Sequence, residues 1–269
     1  MLKTRVITAL VLAAVLLVVL FAMPPLAGIA FFGAALLFGA WEWARFAGLT
    51  RPLARLCYLL VVSLLAAMSW NATREPQQLM NLMFVAAAWW AVALLWLCLR
   101  PAAVSTVTAA VAGLLVLVPT WIAVARLLSG APAPRGAALL MCLLLLVWAA
   151  DVGAYFAGRR WGRLRLAPAV SPNKTWEGVL GGTALALVVA LLEVRWLGCP
   201  MVPFVGLAMV VVCASIIGDL TESMFKRVAG LKDSGSLLPG HGGVLDRIDS
   251  ITAAAPFFVL GLTWLGVLR

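Results

Sequence analysis

Apolar residues run along this chain in blocks of about 20, broken by short clusters of charge, proline or glycine. That block length is about what a helix needs to cross the hydrocarbon core of a bilayer. Nine spans can be drawn, over residues 6–22, 26–43, 56–70, 79–98, 103–125, 137–157, 178–194, 201–219 and 250–267. No alternating barrel pattern is present, and inside lipid a helix satisfies every backbone group within its own segment. The pattern therefore predicts an all-α polytopic integral membrane protein, about nine transmembrane helices in one bundle, forming a single membrane domain over 1–269. Lys3 and Arg5 precede the first span as they would in a signal peptide, but no small-residue cleavage site follows. We read this span as the first arm of a hairpin that turns at "MPPLA".

Composition agrees: 65% of the residues are hydrophobic and 11% charged, against about 25% charged in a soluble domain. With the amino terminus inside, inner loops hold 15 of the 20 Lys and Arg, leaving Arg74, Arg126, Arg135, Arg195 and Arg269 outside. The positive-inside rule thus predicts a cytoplasmic amino terminus. A net charge of +10 could suggest nucleic acid, yet the arginines are not gathered on a soluble basic domain. Topology and anionic headgroups account for them better, so no nucleic-acid partner is expected. The five cysteines lie in or beside apolar runs without metal-like spacing and read as small buried hydrophobes.

The polar minority carries the chemistry. Residues 1–149 contain only two acids, Glu42 and Glu75, and read mainly as structural spans. Seven of the ten acids fall between 151 and 249 on the inferred cytoplasmic side: Asp151, Glu177, Asp219, Glu222, Asp233, Asp246 and Asp249. Residues 150–250 are therefore expected to form the catalytic segments, on the cytoplasmic face. An ionisable group at membrane depth costs about 2.5–3.5 kcal/mol on insertion scales, which makes Asp151 and Asp219 functional suspects. If the eighth span continues past Asp219, then Glu222, Ser223 and Lys226 share its face. Asp246 and Asp249 stand three apart where the ninth span begins, with Arg227, Lys232 and Arg247 nearby.

Carboxylates interleaved with Lys and Arg suit magnesium, which typically takes one or two carboxylates plus substrate phosphates. The basic groups would neutralise phosphate charge and stabilise an in-line phosphoryl transition state. Glycines in "PGHGGV", including Gly242 and Gly243 beside His241, would let backbone N–H groups approach phosphate oxygens. A second polar loop, "GRRWGRLRLAPAVSPNKTWEG", runs from Gly158 to Gly178 and offers Ser171, Lys174 and Thr175 close to a predicted helix start. Blander readings stand beside these. Asp246 and Asp249 could serve only the helix dipole, Arg159, Arg160, Arg163 and Arg165 anionic lipid, and Glu222 either a metal or Lys226. His241 fits loop organisation or a phosphate hydrogen bond as well as base catalysis.

The run "SMFKRVAGLKDSGSLLPGHGGVLDRID", Ser223 to Asp249, resembles the signature of phosphatidate cytidylyltransferases, also called CDP-diglyceride synthases. That signature is Ser, any, apolar, Lys-Arg, four residues, Lys-Asp, a small-residue stretch, Pro or Gly, any, His-Gly-Gly, apolar, any, Asp-Arg, apolar, Asp. "DVGAYFAGR" from Asp151 and "SPNKTWEG" from Ser171 also look like the family's, whereas the first five spans match only in being apolar. The resemblance implies a multi-pass enzyme of the inner membrane, its active site facing the cytoplasm, for which a homodimer is a possible assembly. Its substrates would be CTP and phosphatidate, a membrane lipid, and its products CDP-diacylglycerol and pyrophosphate. By motif position it implies Asp219 and Asp246 as ligands of one or two Mg2+ ions, with Asp249 third. Lys226, Arg227 and Arg247 would serve phosphates, and Ser171, Lys174 and Thr175 the nucleotide. Asp151, Ser223, Lys232, His241, Gly242 and Gly243 complete the expected substrate contacts. The rivals are another CTP-dependent lipid transferase or kinase, and a cation transporter with acids spread through the bundle.

Overall fold

The computed structural model describes residues 2–99, 104–131, 134–238, 240 and 242–268. Among them lie nine helices and one small hairpin: α1 Leu2–Phe21, α2 Pro25–Phe46, α3 Pro52–Ala72, α4 Pro76–Leu99, α5 Thr106–Ser129, α6 Arg135–Trp161, β1 Arg165–Ala167, β2 Ser171–Thr175, α7 Trp176–Leu197, α8 Met201–Val228 and α9 Leu245–Trp264. Each apolar block has become a helix. α2 to α8 are long and apolar enough to cross a membrane. The turn at "MPPLA" is where expected, and Pro25 occupies the start of α2, where its missing N–H leaves no intrahelical bond unmade.

One segment departs from expectation. The polar loop after α6 folds into an antiparallel hairpin, with Arg165 opposite Thr175 and Ala167 opposite Ser171. The Val170 N–H donates to the Ala167 carbonyl at 3.1 Å to close its turn, and Trp176 N–H donates to Leu164 O at 2.9 Å. The Leu164 N–H meets the Glu177 carboxylate at 3.2 Å. The hairpin is thus held from the first turn of α7, and its own three- and five-residue strands are too short to announce themselves in the sequence.

Small residues set the closest helix approach. A Cβ on Gly153 of α6 would lie 2.5 Å from the Gly181 carbonyl oxygen and 2.9 Å from Gly182 Cα on α7. Backbones pack this tightly in membranes where dispersion, not hydrophobicity, drives association. A similar approach joins α8 to α9, where a Cβ on Gly218 would sit 2.5 Å from the Asp249 carbonyl oxygen. Pro256 lies inside α9 and so cannot donate to the Thr252 carbonyl. The Thr120 hydroxyl of α5 lies 2.8 Å from that carbonyl and shares its one hydrogen between it and the Val116 carbonyl at 2.5 Å, the kind of side-chain rescue that makes proline tolerable in a membrane helix. α2 is fixed against α8 through Trp43 and Phe225, whose ring centroids are 5.0 Å apart.

α8 has 28 residues, a length of roughly 42 Å at 1.5 Å per residue. Its charged carboxyl-terminal third holds Asp219, Glu222, Ser223 and Lys226 in one continuous helix, as their spacing required.

Candidate active site

A cavity of about 250 Å3 opens between α6, the hairpin, α7 and α8. Asp151, Lys174 and Asp219 make its charged end, while Ala150, Val212 and Ile216 give it apolar walls. β2 delivers Lys174, whose Nζ lies 2.5 Å from Asp219 Oδ2. Ser223, one turn on from Asp219, donates its hydroxyl to Asp219 Oδ1 at 3.3 Å. Asp151 is near enough to feel the charges of Asp219, Lys174 and Arg247. Thr175 is the N-cap of α7 and its Oγ1 accepts the Gly178 N–H at 3.1 Å. That hydroxyl therefore fixes where α7 starts, and with it the wall of the cavity.

Two turns along α8, Lys226 anchors a second cluster. Its Nζ donates to Asp246 Oδ1 at 2.7 Å and lies 3.2 Å from Glu222 Oε1. The Glu222 oxygens make no hydrogen bond of good geometry, so this second contact is a charge pairing rather than a directed bond. Asp246 Oδ2 accepts the Ser234 N–H at 3.0 Å, the Ser234 hydroxyl at 2.9 Å and the Gly243 N–H at 2.8 Å. Gly242 has φ +81°, in the left-handed region open to glycine, and a Cβ on Gly243 would collide with the Ser234 hydroxyl and the Glu42 carboxylate. These glycines let the backbone close around carboxylates of the chain itself, and the Gly243 N–H is spent on Asp246.

The residues expected in the site therefore fall into two groups joined by α8. Asp219, Lys174, Asp151 and Ser223 form the first; Asp246, Lys226, Gly242 and Gly243 form the second. Asp249 accepts the adjacent Ser250 N–H at 2.8 Å and faces the charges of Asp219. Arg227 donates through Nε to the Val170 carbonyl at 3.4 Å, tying the end of α8 to the hairpin. Ser171 opens β2, and Lys232, Asp233 and Arg247 are exposed. His241 lies outside the described residues.

Among the described residues, no three His, Cys, Asp or Glu side chains converge as a protein-only metal cage. Asp219 and Asp246 each face a lysine, and neither is drawn to the other. The donor chemistry nonetheless fits a hard divalent cation. Asp219 pairs with Lys174 within electrostatic reach of Asp151 and Asp249, and Glu222 and Asp246 pair with Lys226. Magnesium commonly uses only one or two of the protein's carboxylates and completes its shell with water and phosphate.

One member of the cluster escaped the sequence reading. Glu42, in α2, is buried, and its Oε1 accepts the Val244 N–H at 3.1 Å. Its Oε2 accepts the Leu245 N–H at 2.8 Å and the Ser234 hydroxyl at 3.0 Å. The signal was an acid inside the apolar run "FFGAALLFGAWEWARF", the same cost argument that singled out Asp151.

Comparison with known proteins extends the similarity beyond this charged region. The model of the cytidylyltransferase family matches residues 3–265. A phosphatidate cytidylyltransferase of Haemophilus influenzae is 41% identical over 289 residues, covering 96% of this chain and 97% of that protein. One of Pseudomonas aeruginosa is 44% identical over 285 residues, covering 98% and 97%. One of Bacillus subtilis is 44% identical over 123 residues, covering 44% of this chain and 45% of that protein. The two long alignments include the first five helices, for which the motifs had nothing to offer. The chain belongs to the cytidylyltransferase family.

Proposed function

We propose that the protein transfers the cytidylyl group of CTP to phosphatidate, giving CDP-diacylglycerol and pyrophosphate. The observation that carries this reading, in a chain of this family, is a cavity with one charged end and apolar walls. Such a shape suits a phosphate carried on a lipid. A phosphatidate oxygen attacks the α-phosphorus of CTP, a new P–O bond forms, and the bond to the bridging oxygen breaks as pyrophosphate leaves. A phosphomonoester has a second pKa of about 6, so the attacking oxygen is already ionised at neutral pH and needs no strong general base.

The chain's own groups position and neutralise. Lys174, steered by Asp219, brings an ammonium into the cavity. Lys226, held by Asp246, brings a second from two turns further along the same face of α8. Exposed Arg247 offers a planar fork to a phosphate. Asp219 and Asp246 are the residues that would hold Mg2+, with Asp249 as a third; bound there, the ion would neutralise triphosphate charge and ease departure of pyrophosphate.

Purified protein given CTP and phosphatidate should form CDP-diacylglycerol and pyrophosphate. Chelation of divalent ions should cut turnover by at least ~100-fold, with restoration by added Mg2+. Labelled CTP separates the outcomes. Transfer of the γ-phosphate alone would make the protein a kinase, and full turnover under chelation would remove the metal from the scheme.

All nine helices cross the inner membrane in this proposal, with the amino terminus and the site on the cytoplasmic side. The excess of basic residues in those loops supports it. A cysteine placed at exposed Lys232 should react with an impermeant maleimide in inverted vesicles and stay unlabelled in right-side-out spheroplasts. The opposite labelling would reverse the orientation.

A further inference from the structure

We infer that Glu42 and Arg45 are positioning residues for Asp246, reaching from α2 to hold Ser234 and the backbone of Gly243 to Leu245 in the arrangement that orients its carboxylate. The inference rests on the role given to Asp246 above. A buried carboxylate is tolerated when its oxygens are richly hydrogen-bonded, and Glu42 receives three bonds, all from the segment Ser234 to Leu245. The two backbone bonds, from Val244 and Leu245, fix the start of α9, where orphan N–H groups favour an anion.

The third bond links Glu42 to the site. Ser234 Oγ stands 3.0 Å from Glu42 Oε2 and 2.9 Å from Asp246 Oδ2, between the two carboxylates. Its single hydrogen serves one of them at a time. Arg45, nearly one turn after Glu42, donates to the Ser234 carbonyl at 2.9 Å and so grips the same residue by its backbone. Gly235 and Gly243 leave room for this clamp, since a Cβ on either would run into the Glu42 carboxylate. With Oδ2 taken up by the loop, Asp246 turns Oδ1 toward Lys226, 2.7 Å away. α2 thereby decides which oxygen works. A glutamine in place of Glu42 has one oxygen rather than two and leaves part of the donor set unpaired.

The test uses the full chain in detergent, with steady-state kinetics and tryptic cleavage after Lys232 measured on the same preparations. Glu42→Gln should lower kcat by ~10- to 100-fold, as expected when a reacting group is displaced by a fraction of an ångström to an ångström. Its KM values for CTP and phosphatidate should stay within ~3-fold, because the residue touches neither. Cleavage after Lys232 should quicken in the absence of substrate, while the protein still elutes as a folded species. Ser234→Ala should lower kcat in the same direction, and the double variant should be no worse than the poorer single one, as for residues on one path. A kcat within twofold of the parent in Glu42→Gln, or losses that simply multiply, would overturn the proposal. If Glu42→Gln does not fold, Ser234→Ala carries the test, and a normal kcat there has the same force. A parent protein that makes no CDP-diacylglycerol would defeat the proposed function, whereas the cleavage comparison would still report on the clamp.

Discussion

Asp246→Ala should abolish measurable CDP-diacylglycerol formation, a loss of at least ~10³-fold in kcat, or about 4 kcal/mol of transition-state stabilisation. Three effects coincide at this position. Lys226 loses its shorter ion pair and keeps only the undirected contact with Glu222. The N–H groups of Ser234 and Gly243 lose their acceptor, at about 1–3 kcal/mol for each donor left buried and unpaired. One of the two principal candidate metal ligands disappears. Asp246→Asn separates these effects, because it preserves the shape and one accepting oxygen while removing the charge. The asparagine protein should retain the parent's slow tryptic cleavage at Lys232 and still be inactive. Should it keep more than about a tenth of the parent turnover, the carboxylate charge would not be what the reaction uses.

Gly153→Leu should have the largest effect on folding. Its side chain would be driven into the backbone of Gly181 and Gly182 rather than into a side chain able to rotate away. Overpacking typically costs ~1–3 kcal/mol even where neighbours can shift, and here the two helices themselves must separate. The expected outcome is near-complete loss of monodisperse protein on size-exclusion chromatography. Gly206→Leu in α8 is the control, since a Cβ there meets nothing within 4 Å. Equal yields from the two variants would show that α6 and α7 do not need this approach. Any Gly153→Leu protein that does fold should bind nucleotide poorly, because the same pair of helices frames the Lys174–Asp219 end of the cavity.

The helices could be read from the sequence because their cause is local. A bilayer dictates a run length, and each run met it. The face of α8 carrying Asp219, Glu222 and Lys226 could be read for a similar reason, since helical spacing alone puts those residues together. The hairpin could not. Its prolines and charges look like a loop, and it is closed by a carboxylate of the helix that follows. Spacing was equally silent about which partner each acid would meet. Motif position marked Asp219, Asp246 and Asp249 as ligands of one or two metal ions, but not that Asp219 would pair with a lysine from β2 or that Asp246 would be wrapped by a loop. Glu42 is the extreme case, with every hydrogen-bond partner of its carboxylate about 190–200 positions downstream. An acid in an apolar helix advertises that it needs partners, but says nothing of where they come from.

The length of α8 has a consequence for how the two substrates meet. Asp219 lies 18 residues after Met201, hence ~27 Å along the axis, close to the ~30 Å thickness of the hydrocarbon layer. In the proposed topology, the helix beyond that point would rise through the depth occupied by lipid headgroups. With α8 so placed, a substrate anchored by two acyl chains would arrive by diffusion in a plane, its phosphate level with the lysines, while the nucleotide would arrive from a volume. Encounter with the lipid is governed by its surface density in the leaflet and encounter with CTP by its bulk concentration, so diluting the lipid in detergent micelles should slow the reaction even when the total amounts of both are unchanged.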